Sequence, residues 1–170
     1  MANTLKRKPK SKDSVIHQFM FLEAPVEIVS AEAVTWGESA WWPKDCLWKY
    51  LRQTDGDIRV GTQYVIKINK PSSHDWAAEV TQLLPTRLIE RTFTRGMFKG
   101  FERVLLEEKS NGTRLDYELH FQIRGPINLL LWPFYLRGQY IKTIKSILSA
   151  FKDHIMAEVR RQQSKPDGAQ

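Results

Sequence analysis

The chain has 170 residues, 42% apolar and 26% charged, which are ordinary values for a globular protein of one domain. Such a chain buries about 70% of the surface its unfolded form exposes, so it needs no staples, and its one cysteine, Cys46, excludes an intramolecular disulfide. The formal charge of +7 is concentrated in Lys6, Arg7, Lys8, Lys10 and Lys12, and the remainder carries 21 basic against 19 acidic residues, a net of +2.

Residues 1–13 therefore read as a disordered basic tail, 14–162 as a single domain and 163–170 as a frayed end. The tail allows a weak contact with an anionic membrane surface. No basic stripe accompanies it in the domain, so no specific nucleic-acid partner is expected. No apolar segment follows the tail's positive charges as a secretory signal requires. The longest apolar stretch, Ile127 to Leu136, contains Asn128 and Pro133. It falls well short of the roughly 20 residues a membrane-spanning helix needs. With the lone cysteine, this fits a reducing, cytoplasmic setting.

Ser14 to Glu23, rich in Val, Ile and Phe, predicts a first strand. Pro25 sits where a helix starts, and Pro25 to Thr35 predicts a short helix with Ile28, Val29 and Ala33 as apolar positions. Gly37 breaks it, Glu38 to Trp42 forms a second short helix or turn, and Pro43 ends that. The period then changes. Leu47 to Gln53, Thr62 to Asn69, Trp76 to Leu84, Arg87 to Thr94 and Phe98 to Lys109 read as strands, with turn chemistry at Asp55-Gly56, in the polar run 70–75 and at Pro85. Asn111-Gly112 supplies the residues of a type I′ hairpin turn. After it, Leu115, Tyr117, Leu119, Phe121 and Ile123 alternate with polar residues, which means one buried and one wet face.

The last element is a helix from about Gln139 to Gln162, with Ile141, Ile144, Leu148, Phe151, Ile155 and Val159 at spacings of three and four. Such a helix is about 36 Å long, against about 33 Å for a ten-residue strand, so it can cover the whole sheet. A wide twisted sheet curls. One helix, about 10 Å thick, cannot fill a curled sheet, which leaves a space for large side chains or a ligand. The fold class is α+β: a curved antiparallel sheet of about seven strands around a long C-terminal helix, with two short helices after strand one.

Four segments in this order carry a family resemblance: Glu23-Ala24-Pro25-Val26-Glu27 after the opening strand, Trp41-Trp42-Pro43 at the end of the helix pair, Val60-Gly61-Thr62 opening the third strand, and Asp116 to Ile123 before the long helix. Over residues 14–162 the chain resembles the START-related, birch-allergen-like superfamily (SRPBCC) with its helix-grip fold. Within it, it looks similar to small bacterial polyketide cyclase/dehydrase and lipid-transport-like members. The resemblance implies an internal cavity for a hydrophobic small molecule (a lipid, polyketide or quinone-like compound), with the chain as carrier or sensor. A polyketide cyclase or dehydratase acting in that cavity, or a protein-interaction domain without catalysis, are the alternatives. The residues expected to line the cavity are Trp42, Tyr64, Trp76, Tyr117, Leu119, Phe121, Trp132, Tyr140, Ile147, Phe151 and His154. Leu129 to Leu136 caps the cavity, docks on a membrane with the tail, or packs under the sheet's edge.

No catalytic set, metal ligand set or cofactor motif stands out. His17, His74, His120 and His154 lack metal-ligand spacing. The resemblance makes His17 and His120 neighbours by pairing the first and last strands. Cys46 has no activating partner in sequence, and no phosphate-cradling or nucleophile-elbow motif is present. Glu79, Glu90 and Glu102 fall mid-strand. An inward carboxylate would be a candidate acid or base. The favoured expectation pairs Glu90 and Glu102 with the Arg91 and Arg103 neighbourhood on the wet face.

Overall fold

The computed structural model describes residues 14–69 and 74–164, so the basic tail, most of the polar run 70–75 and the end of the chain from 165 lie outside the described residues. In chain order the elements are β1 (Ser14–Leu22), α1 (Val26–Val34), β2 (Trp48–Arg52), β3 (Gln63–Ile68), β4 (Trp76–Leu84), β5 (Leu88–Arg95), β6 (Phe98–Lys109), β7 (Gly112–Ile123), α2 (Pro126–Leu131), a π-helical segment (Trp132–Leu136) and α3 (Arg137–Gln163). The strands form one antiparallel, curled sheet in the order β1-β7-β6-β5-β4-β3-β2. The first strand pairs with the last, and the others form a meander whose short turns place sequence neighbours side by side.

The concave face is apolar and α3 lies in it. Along β7, Leu115, Tyr117, Leu119 and Phe121 turn inward and are buried, while Arg114, Asp116, Glu118 and His120 face out. The inward stripe of α3 is Tyr140, Ile144, Ile147, Leu148, Phe151 and Ile155. The outer face of β7 is half-buried, and its charges pair both along the strand and across to its neighbours. His17 Nε2 lies 2.7 Å from Asp116, which Arg114 also contacts, and Glu118 accepts from Arg103 and His120. His17 and His120 thus share a face, each on its own carboxylate.

Segment 38–42 is a pair of turns, with Glu38 N–H donating to Thr35 O and Trp42 N–H to Ser39 O. After β7, helical structure starts earlier than periodicity indicates: Leu129 to Leu136 belongs to a lead-in helix, continuous through the π segment with α3. Pro133 has no N–H to donate, which suits it to the widened turn.

The hairpin between β6 and β7 is not the expected type I′ turn. Lys109 pairs with Gly112, which leaves Ser110 and Asn111 as the two loop residues. Among the described residues the only positive φ outside glycine is at Thr86, so neither loop residue has the conformation a type I′ turn requires. Gly112, at φ +153°, is instead the first residue of β7.

Candidate functional site

The middle of the grip is filled by aromatic side chains that the α1–β2 loop brings in. Trp36 is buried, stacked on Tyr117 with centroids 6.0 Å apart, and packed on Phe151. Trp42 donates its indole N–H to Trp48 O at 2.8 Å. Trp41 packs against Phe151 and stacks on His154.

Beneath these rings lies a buried polar cluster. Arg91 on β5 and Glu102 on β6 are direct cross-strand partners facing inward, with side chains 1% and 4% exposed. This overturns the wet-face expectation. Glu102 pairs with Arg91 (Nη1 to Oε1 3.6 Å) inside the grip, while Arg103 pairs with Glu118 outside and Glu90 accepts from Thr81. Glu102 accepts from Tyr50 at 2.7 Å and from Tyr117 at 3.0 Å, and the Tyr117 and Tyr140 hydroxyls share a 2.6 Å hydrogen bond. The Arg91 guanidinium lies over the rings of Tyr50 and Tyr64 and reaches the carbonyls of Val34 and Trp36.

Burial, and then the charge of Glu102, push the Tyr50 hydroxyl well above its ordinary value. Burial and the neighbouring Tyr140 and Glu102 do the same to Tyr117, and burial with Glu102 to Tyr140. Tyr64 is pushed up to about 12 by burial, against the pull of Arg91. Groups whose pKa is raised in the fold contribute their full stability below the unfolded value, about pH 10 for a phenol, and lose it as pH climbs beyond. Stability is therefore expected to fall steeply above about pH 10. On alkaline titration, phenolate absorbance from these residues should rise only together with loss of far-UV circular dichroism. Free titration of all five tyrosines in folded protein would contradict it.

Two half-open clefts flank the aromatic filling on one side. The larger, about 740 Å³, lies between β2–β3, the β5–β6 turn and the start of α3. Its apolar wall is made by Leu47, Trp48, Ile68, Trp76, Met97, Leu136 and Tyr140, with Trp48 and Tyr140 buried as its floor. His74 and Arg95, both exposed, stand at its rim with Asp75, which Lys67 holds at 2.5 Å. Trp48 stacks on Tyr140 with centroids 4.8 Å apart. The second cleft, about 590 Å³, shares Trp48 and Ile68 and is otherwise lined by Trp42, Cys46, the strand residues Lys49 and Lys67 and mostly polar loop residues. Burial pushes the Cys46 thiol up, so it stays protonated at neutral pH.

Of the residues expected to line a cavity, Trp76 and Tyr140 border the larger cleft and Trp42 the smaller. Phe121 and Trp132 stand behind the floor, packed edge-on against Phe98, which packs on Tyr140 in turn. Tyr64, Tyr117, Leu119, Ile147 and Phe151 are buried in the centre and border neither cleft. His154 lies far along α3, its Nε2 3.0 Å from Glu32 but out of line for a hydrogen bond. Sequence reasoning missed Trp48, Met97 and the Arg91–Glu102 pair, while Leu136 belongs to the segment 129–136 read as a possible cap of the cavity. Trp48 had a signal, since it alternates with Tyr50 along β2.

No protein-family model and no curated protein sequence matches this chain. Solved structures do match its fold. A Thalictrum norcoclaurine synthase point mutant, in complex with a transition-state analogue, superposes with a TM-score of 0.66 at 10% identity, covering 89% of this chain and 99% of the other. The TTHA0849 protein of Thermus thermophilus gives 0.66 at 14% identity, covering 85% and 99%. The Aha1 dimer of Colwellia psychrerythraea gives 0.54 at 17%, covering 82% and 96%. These likenesses show the fold: a curled antiparallel sheet gripping one long C-terminal helix, the helix-grip architecture the sequence resemblance implied.

Proposed function

We propose that this chain binds a hydrophobic small molecule, of lipid, polyketide or quinone-like class, as a carrier or sensor in the larger cleft. The observation that supports this most is the shape of that cleft. At about 740 Å³ it falls within the usual range of small-molecule sites, roughly 300–1,000 Å³. It has a buried aromatic floor of Trp48 and Tyr140, an apolar wall and a few polar groups at the rim. A flat apolar ligand would stack on Trp76 and Trp48, with a polar end left toward Arg95. A cytoplasmic setting belongs to this reading, supported by the single buried thiol.

A cyclase- or dehydratase-type enzyme in the same cleft is the alternative. It draws support from the hydroxyl chain Tyr140–Tyr117, which connects a residue of the cleft wall to the buried Glu102 carboxylate.

The direct test is native mass spectrometry of protein purified from its host, followed by organic extraction. A variant sharpens it. Met97, half-buried in the β5–β6 turn, borders the cleft. Met97→Trp should narrow it at a stability change of less than about 1.5 kcal/mol, because the added atoms enter open space and not packed core. It should lower uptake of an anilinonaphthalene sulfonate probe at least about tenfold, the equivalent of about 1.4 kcal/mol. Wild-type protein that carries no ligand and binds no probe would defeat the reading.

A further inference from the structure

The segment that leads into α3 is turned inside out for a helix of a globular domain. Asn128, Trp132, Leu136 and Tyr140, at a spacing of four, face the protein. Nearly everything else along this stretch faces outward. Leu130 is 68% exposed and Phe134 86%, and Ile127, Leu129, Leu131 and Tyr135 are exposed beside them. Elsewhere in the described chain Val15, Phe19 and Phe21 share the outer face of β1, where Arg114 lies over the Phe19 ring, and Leu51, Val60 and Leu84 stand singly. A contiguous set on one short helical segment marks an interaction surface.

Charge indicates what this surface meets. No acidic residue occurs between Glu118 and Asp153, while Arg124, Arg137, Lys142 and Lys145 are all exposed. Arg137 follows Phe134 by three positions. Lys142 and Lys145 continue on the outward side of α3, away from its buried stripe. Arg124 sits at the other end, where its backbone N–H bonds Met97 O and ties the segment to the β5–β6 turn, itself flanked by exposed Arg95 and Lys99. The apolar patch therefore has a basic border on both sides.

We propose that Ile127 to Tyr135 is a membrane-docking element that lays Leu130 and Phe134 into the interface of an anionic bilayer, with the surrounding Arg and Lys side chains on lipid headgroups. This is the pattern of an interfacial helix: apolar residues on the inserted side and basic residues at headgroup level. None of the helices in the described chain is long and apolar enough to cross a membrane, so the element lies on the surface. A second copy of this chain fits the patch poorly. A two-fold contact sets the patch against itself, and Arg137, Lys142 and Lys145 would meet only the basic border of the other copy. Docking does not depend on the ligand reading. The two sites are adjacent, however: Asn128 and Leu136 of the same segment line the larger cleft, so docking would hold its mouth beside the lipid.

The test is flotation of the full-length protein with vesicles of phosphatidylcholine alone and of phosphatidylcholine mixed with phosphatidylserine. The expected result is partition at least about tenfold higher onto the phosphatidylserine vesicles. Leu130→Glu together with Phe134→Glu should abolish it without lowering the melting temperature, since both side chains are exposed. Lys142→Glu together with Lys145→Glu should remove the preference for phosphatidylserine. Three outcomes overturn the proposal. The first is wild-type protein that floats with neither vesicle. The second is partition that survives the Leu130/Phe134 change intact, which would place the contact elsewhere. The third is a wild-type dimer that the Leu130/Phe134 change makes monomeric, which would assign the patch to self-association.

Discussion

Arg91→Met is expected to destabilise the protein by about 3–5 kcal/mol, read as a shift in the urea unfolding midpoint at neutral pH. Met replaces the arginine stem but not the guanidinium that packs over the Tyr50 and Tyr64 rings, so part of the loss is packing. The larger part comes from Glu102, which keeps the hydrogen bonds of Tyr50 and Tyr117 but loses the positive charge 3.6 Å away. A carboxylate 4% exposed has no water to replace that charge. The substitution also frees the carbonyls of Val34 and Trp36 at the end of α1, so α1 and the Trp36 turn lose their tie to β5. Arg91→Met combined with Glu102→Leu should cost less than the sum of the two single changes, because the double variant leaves no unpaired buried charge. If Arg91→Met alone shifts stability by less than about 1 kcal/mol, the pair does not form as described.

This pair also shows where the sequence stops being legible. Phe98, Val104 and Leu106 share the parity of Glu102 along β6, and all are buried inward. Phe101 and Leu105 offer the opposite parity, and they stay only half-covered on the outer face. On β5, Ile89 and Phe93 share the parity of Arg91, whereas Leu88 does not, and Leu88 is buried as well. With apolar residues on both faces, a charged residue at an inward position reads more naturally as an outward one. The register that decides it passes through irregularities at Ala77/Ala78 and Val80/Gln82 on β4, which local pattern does not reveal.

Where one face is unambiguous, the sequence reading agrees with the structure. β7 alternates without exception over its central residues and α3 repeats its apolar stripe for several turns, and both sit where periodicity predicts. The cavity was harder for a different reason. The expectation of a space between sheet and helix followed from a curled sheet and one helix. The path of the α1–β2 loop fills its middle with Trp36, Trp41 and Trp42. The open volume is displaced toward the first turn of α3, at Tyr140. Which aromatic residues fill and which ones line is fixed by a loop without periodicity, so composition could name the candidates and not sort them.

Gly112→Val is expected to cost about 2–6 kcal/mol, from backbone strain of about 1–3 kcal/mol and a similar amount for overpacking. The turn is not the type I′ hairpin that Asn111-Gly112 suggests, yet the glycine remains necessary. Its φ of +153° lies in the region L side chains rarely adopt. A Cβ at this position would stand 2.1 Å from the carbonyl oxygen of Leu22 and 3.0 Å from the Cα of Glu23. Both are backbone atoms, so no side-chain rotation relieves the clash. Relief requires moving the end of β1 away from the start of β7, where Leu22 pairs with Thr113. Thr113 is fully buried, and its hydroxyl donates to Ala24 O at 2.8 Å, which fixes the chain just before α1. Displacing β1 there breaks this bond and strains the strand pair that closes the sheet order on its β1 edge. Gly112→Ala should show most of the same loss, because the Cβ alone makes the contact. A thermal melt in which Gly112→Ala matches wild type would show that β1 and β7 do not approach this closely.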